Sequence, residues 1–326
     1  MTWETISQSV IFNIILLIIG MVLLIKGADF FVDGASSIAK KLKIPALIVG
    51  LTLVSMGTSA PEASVSISSA FAGASDASLS NIIGSNMFNL LVVLGASLLF
   101  SKISVSKSTV LFDFPFLIFI TIVLLLMCYV ITVGSIDIWE GIILLVLFIG
   151  YLVFIVLRAK KSGEEAEEGK NLSWLKSIIL SVLGLAGIIL GGRWVVDGAG
   201  VVATSLNMEP TLVGLTIYAI GTSLPELVTS LVAAKKGEND IAVGNVVGSG
   251  IFNILFVIGL SSTILPLAIN ENVILDIVFN IFTTVLFIVF CLKSKKLDKK
   301  HGIILLALYV VYFVYIILRN YNVISF

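Results

Sequence analysis

Of 326 residues, 58 % are hydrophobic and only 12 % are charged, the formal net charge is +0, and the mean hydropathy is +1.15. An ordinary soluble domain is excluded, because a surface that faces water carries roughly 25 % charged residues. The charges here fall in short runs between long apolar stretches, the pattern of a surface that faces lipid.

Apolar stretches long enough to cross a hydrocarbon layer about 30 Å thick predict ten helices. In chain order they cover 8–39, 44–71, 77–101, 108–132, 136–158, 174–204, 208–235, 240–265, 271–293 and 302–319. The segment before the first, Met1-Thr2-Trp3-Glu4-Thr5, lacks positive charge and leads into a long apolar run. It therefore reads as the lead into a membrane helix and not as a cleavable signal peptide. The expected fold class is an all-α membrane protein of ten transmembrane helices. With ten spans the loops alternate sides. One class of loops carries Lys40, Lys41, Lys43, Lys102, Lys107, Arg158, Lys160, Lys161, Lys170, Lys176, Lys235, Lys236, Lys293, Lys295, Lys296, Lys299 and Lys300, against Arg319 alone on the other side. Basic loops stay cytoplasmic, so both termini are expected outside a cell membrane.

Cys128 and Cys291 stand singly in apolar spans and read as small buried hydrophobes. The sole histidine, His301, lies in a basic loop, which argues against histidine chemistry. Lys160 to Lys170 is the one markedly hydrophilic linker, a solvated connector too short for a regulatory domain.

The sequence contains itself twice at a fixed offset of 164 residues, with no gap from Asp33 to Gly95. Gly50-Leu-Thr-Leu-Val-Ser-Met-Gly-Thr-Ser-Ala-Pro-Glu62 matches Gly214-Leu-Thr-Ile-Tyr-Ala-Ile-Gly-Thr-Ser-Leu-Pro-Glu226 at 8 of 13 positions. Asn81-Ile-Ile-Gly-Ser-Asn-Met-Phe-Asn89 likewise matches Asn245-Val-Val-Gly-Ser-Gly-Ile-Phe-Asn253. The chain then divides into a first five-helix repeat (1–158), a cytoplasmic linker (159–173) and a second five-helix repeat (174–326). An odd number of spans per repeat makes the second copy enter the membrane from the opposite side. Inverted repeats of this kind build alternating-access transporters with a midplane site.

The residues both copies share are polar and fall mid-span. Pro61 and Pro225 lack an amide hydrogen and crowd the carbonyl one turn back, freeing carbonyls near Gly57, Thr58, Gly221 and Thr222. In hydrocarbon such carbonyls must find partners, unless they line a hydrated cavity or hold an ion. Glu62 and Glu226 then fall in a first helical turn, at the positive end of the dipole. Ser55, Ser59, Glu62, Ser66 and Ser69 make one helical stripe, though Ser66 and Ser69 suit close packing equally well. Asn81, Ser85 and Asn89 step by four, as do Asn245, Ser249 and Asn253. Two buried carboxylates repel, so without a metal they should take up protons, and a divalent cation removes the repulsion. Carboxylate, carbonyl, amide and hydroxyl oxygens are hard donors suited to calcium, and the lack of thiolate or imidazole argues against zinc or copper. Two sodium ions would supply the same charge.

On the paired Gly-Thr-Ser-x-Pro-Glu and Gly-Ser-x-x-x-Asn segments, and over essentially the whole chain, the sequence resembles the sodium/calcium exchanger family of the cation/calcium exchanger superfamily, in its prokaryotic form. The resemblance implies calcium carboxylates at Glu62 and Glu226, helped by the carbonyls of Thr58 and Thr222. It implies sodium sites completed by Ser59, Ser85, Asn89, Ser223, Ser249 and Asn253, with further carbonyls at Ser55 and Ala219. It also implies outward movement of calcium against sodium entry, with the long first and sixth helices sliding past a fixed core. Proton/calcium exchangers place a Gly-Asn motif before the glutamate, where both copies here have Gly-Thr-Ser. Potassium-dependent exchangers carry aspartate where Asn253 stands. Proton/calcium antiport and potassium-dependent exchange remain alternatives, as does a cation channel or an intramembrane enzyme. A channel needs a continuous pore, usually on an oligomer axis, whereas this site forms inside one chain, so a monomer is expected. No enzyme activity, cofactor or nucleic-acid partner is expected; the partners are calcium, sodium and the bilayer.

Overall fold

The computed structural model of the protein describes residues 9–71, 75–162, 171–208, 217, 219–269, 273–294 and 296–320. Its main helices are α1 (Val10–Leu42), α2 (Ala46–Thr58), α3 (Ala60–Phe71), α4 (Ser78–Phe100), α5 (Thr109–Ile131) and α6 (Ile138–Lys160). They continue with α7 (Trp174–Ser205), α8 (Leu224–Lys235), α9 (Asn239–Ile264), α10 (Val273–Lys293) and α11 (Lys299–Arg319). Among the described residues, eight helices are each long and apolar enough to cross a membrane, and α2 with α3 forms a ninth, bent by 48°. The chain is therefore a multi-pass helical membrane protein. The span expected at 208–235 lies partly outside the described residues; its described part is a helical turn at Ala219–Gly221 followed by α8.

Both broken regions break for the same reason. A proline at the second position of α3 (Pro61) and of α8 (Pro225) cannot donate back to the preceding turn, yet it suits a helix start. The residues just before, Ser59 (φ −82°, ψ 8°) and Ser223 (φ −93°, ψ 6°), adopt nearly the same non-helical backbone. This bridge region of φ/ψ space is sparsely populated and common at functional sites.

The centre is made by α9 and α4, whose apolar windows are 94 % and 78 % buried, whereas α1 and α7 reach only 22 % and 33 %. Those two long helices instead bury a shared seam. Glycines recur at every seventh position, Gly20, Gly27 and Gly34 on α1 and Gly184, Gly191 and Gly198 on α7. Gly20 meets Gly191, Gly27 meets Gly184, Gly34 meets Ser177 and Gly198 meets Asn13, an antiparallel order of contacts. A Cβ on Gly184 would stand 2.5 Å from the Phe31 nitrogen and 2.7 Å from the Gly27 oxygen, so the backbones touch with no room for a side chain.

Short pairings sort the loops by end. Ile103 exchanges backbone hydrogen bonds with Leu297 at 3.1 and 2.9 Å. Pro45, Ser106, Arg158 and Asp240 line one recess, and the Leu172 amide donates to Ser37 Oγ. The basic loops thus gather at one end. At the other, β1 (Ser135–Ile136) pairs antiparallel with β2 (Leu267–Ala268). A partly buried arginine–aspartate pair stands at each end: Arg158 holds Asp113 with both guanidinium nitrogens, at 2.6 and 3.2 Å, and Arg319 holds Asp276 at 3.0 and 3.1 Å.

Candidate ion-binding site

The helix breaks at Ser59 and Ser223 place Glu62 and Glu226 in the first turns of α3 and α8, and both side chains are fully buried. Ser85 reaches Glu62 from α4 and Ser249 reaches Glu226 from α9, Asn89 and Asn253 follow one turn further along the same helices, and all four are buried. In α4 and α9 the asparagine opens a π-helical turn, Asn89–Val93 and Asn253–Ile258. Such turns occur as local bulges in helices, frequently at functional sites, and nothing in the apolar periodicity announced them.

The hydrogen bonds cross between the two halves. Ser59 Oγ donates to Glu226 Oε1 at 2.7 Å, and Ser223 Oγ donates to Glu62 Oε1 at 3.0 Å. Each carboxylate also receives the serine of its neighbouring central helix, Ser85 to Glu62 at 3.2 Å and Ser249 to Glu226 at 3.5 Å. Ser85 and Ser223, both on Glu62 Oε1, lie 3.0 Å apart. Around this core, Asn81 donates to Ser66 Oγ at 3.1 Å, and its repeat mate Asn245 donates to Ser230 Oγ at 2.9 Å. Thr58 Oγ1 donates to Asn245 Oδ1 at 2.9 Å.

One carboxylate oxygen of each acid is left over. Glu62 Oε2, Glu226 Oε2, Asn89 Oδ1, Asn253 Oδ1 and Thr222 Oγ1 are buried without a hydrogen-bond partner. A buried polar atom without a partner costs roughly 1–3 kcal/mol, more if charged. Among the described residues, neither glutamate takes part in an ion pair, and no group of three or more His, Cys, Asp or Glu side chains could hold a metal. Two acids among neutral oxygens, two of them partnerless amide acceptors, form a donor set suited to a cation. It fits a hard ion coordinated by oxygen.

The structure therefore brings together Glu62 with Ser85 and Ser223, and Glu226 with Ser59 and Ser249, with Asn89 and Asn253 one helical turn beyond the two central serines. Ser55 is buried, but its hydroxyl bonds to the Leu51 and Thr52 carbonyls of its own helix. Ala219 opens the helical turn before the second break. Ser66 is buried within the stripe and Ser69 only half-buried. Sequence reasoning missed Asn86, which donates to the Gly250 carbonyl at 3.4 Å and accepts from Asn253 Nδ2 at 3.1 Å. The one available signal was negative: glycine stands where the second copy would carry its mate.

A family model described as sodium/calcium exchanger protein matches residues 12–157 and 176–318. Inner membrane protein YrbG of Escherichia coli is 37 % identical over 77 % of this chain and 79 % of its own length. Sodium/calcium exchanger MaX1 of Methanosarcina acetivorans is 28 % identical over 93 % of this chain and 97 % of its own. A solved structure of the sodium-calcium exchanger NCX_Mj, soaked with 10 mM Na+ and 10 mM Sr2+, matches with a TM-score of 0.83 at 32 % identity, covering 94 % of this chain and 99 % of that one.

Proposed function

The chain belongs to the sodium/calcium exchanger family, and from that premise we propose that it is a sodium/calcium antiporter. It carries Ca2+ out of the cell in exchange for Na+ at a midplane site, by alternating access. Glu62 and Glu226 hold calcium with the carbonyls of Thr58 and Thr222. Ser59, Ser85, Asn89, Ser223, Ser249 and Asn253 complete the sodium positions, with the carbonyls of Ser55 and Ala219. The observation that carries this reading is the pair of buried glutamates whose second oxygens, with the Asn89 and Asn253 oxygens, have no hydrogen-bond partner. A single charge at the bilayer centre costs at least roughly 2.5–3.5 kcal/mol, and one divalent or two monovalent cations offset two such charges.

Two inverted five-helix repeats, 1–158 and 174–326 joined by 159–173, make up the transporter. Support comes from the antiparallel seam of α1 and α7 and from the reciprocal bonds Ser59–Glu226 and Ser223–Glu62. The basic loops face the cytoplasm and both termini face outside. The glycine seam makes α1 and α7 one thin pair at the edge of the core, suited to sliding as a unit while α4 and α9 stay fixed. The protein works as a monomer, since both carboxylates come from one chain.

Calcium flux into sealed vesicles tests the reading, with sodium, potassium and pH gradients imposed separately. Flux is expected to follow the sodium gradient without potassium. Flux that ignores sodium and follows pH would make this a proton/calcium antiporter, and a potassium requirement would move it to the potassium-dependent branch. A second expectation concerns acid. Protons and calcium compete for the same carboxylate oxygens, so apparent calcium affinity should fall as pH drops from alkaline to mildly acidic. Equilibrium binding of radioactive calcium across that range checks it; an affinity that stays constant would contradict carboxylate ligation.

A further inference from the structure

We propose that Asn86 is a positioning residue that locks the Asn253 carboxamide with its oxygen toward the ion site. The inference rests on the reading of Asn253 as an ion ligand. It follows from donor and acceptor chemistry in three steps. The Gly250 carbonyl only accepts, so Asn86 must turn its Nδ2 toward it, 3.4 Å away. The Asn86 oxygen then faces the other way and itself only accepts. Asn253 must therefore present Nδ2 to it, at 3.1 Å, which leaves Asn253 Oδ1 pointing away from Asn86, buried and without a partner. A backbone carbonyl that cannot rotate thus sets the orientation of a side chain two links away. Cations bind the amide oxygen and are repelled by the amide nitrogen, so the locked orientation is the binding one.

The repeat makes the point by contrast. Asn89 is the mate of Asn253, and the position that would orient it is Gly250, which has no side chain. Both Asn89 Oδ1 and Nδ2 are buried without partners. The two amides of a sequence-symmetric pair therefore behave differently: Asn253 offers its oxygen permanently, and Asn89 is free to turn. Asn86 touches neither glutamate among its described hydrogen bonds, and it acts only through Asn253.

A double-mutant cycle tests this, using the purified full-length protein and equilibrium binding of calcium and of sodium, with sodium-driven calcium flux in vesicles beside it. Asn86→Leu keeps the branched shape, somewhat bulkier, and removes donor and acceptor; Asn86→Ala removes the shape as well; Asn253→Ala removes the ligand. Each single variant is expected to weaken the affinity for at least one of the two ions about tenfold, and the two Asn86 variants should keep most of the maximal flux. The double variant Asn86→Leu/Asn253→Ala should bind no more weakly than Asn253→Ala, because nothing remains to be oriented. Losses that multiply in the double variant, or wild-type affinity in both Asn86 variants, would overturn the proposal. A general structural role would lower melting temperature and maximal flux in all backgrounds without this non-additivity, and that result also overturns it. If Asn253→Ala binds like wild type, Asn253 is no ligand and the lock falls with it. Sodium/calcium exchange would still stand wherever wild-type flux follows the sodium gradient.

Discussion

Glu62→Gln and Glu226→Gln are each expected to abolish sodium-driven calcium flux while leaving the protein folded. The glutamine is nearly isosteric, and its oxygen can still accept from Ser223 and Ser85 at position 62, or from Ser59 and Ser249 at position 226. What disappears is one of the two negative charges. At about 2.4 Å, a divalent ion and a carboxylate attract by roughly 14 kcal/mol gross at an effective dielectric of about 20. If dehydration leaves only a fifth of that, about 3 kcal/mol, calcium affinity still falls about 100-fold. Stability should not suffer, because the substitution removes a buried like-charge pair that no lysine or arginine among the described residues compensates. Melting temperatures at or above wild type in calcium-free buffer, together with flux at background, are the expected pair of results. Near-normal flux from either variant would sink the site.

The second large effect is structural. Gly184→Ala, the smallest substitution available, is expected to separate α1 from α7. Its Cβ would lie 2.5 Å from the Phe31 nitrogen, 2.7 Å from the Gly27 oxygen and 2.8 Å from the Phe31 Cα. These are backbone atoms of the facing helix, so no rotamer change relieves the clash. Overpacking a tight interior typically costs about 1–3 kcal/mol, and here the helices must part along the whole seam. Loss of the folded peak in size-exclusion chromatography, or a large drop in melting temperature with loss of flux, is the expected outcome. Gly150→Ala on α6 is the control: nothing lies within 4 Å of its added Cβ, and alanine favours helix by about 1 kcal/mol over glycine. Equal behaviour of the two variants would remove the seam from the account.

Much of the architecture is legible in the amino-acid sequence. Hydropathy reports membrane spans because crossing about 30 Å of hydrocarbon requires a length of apolar chain, a local property. The helices observed begin and end within a few residues of those expected where the residues are described, as at Trp174–Ser205 and Val273–Lys293. The prolines announced the breaks before α3 and α8, since a missing amide hydrogen acts on the same turn wherever the helix packs. The duplication singled out Glu62 and Glu226 because two copies shared costly polar residues in the middle of apolar runs.

The partners across the site were not legible. Periodicity put Ser59 and Glu62 on one stripe of one helix, yet Ser59 bonds to Glu226, and Ser223 bonds to Glu62. The glycine seam, the π-helical turns at Asn89 and Asn253, and the bridge from Gly250 through Asn86 to Asn253 are of the same kind. Hydropathy, helix breaks and repeats depend on neighbours a few residues away, or on one copy matching another, and the chain determines them by itself. Which oxygen meets which hydroxyl across more than 160 residues of separation depends on how α3, α4, α8 and α9 sit against one another, within tenths of an ångström. Only the packed tertiary structure decides that.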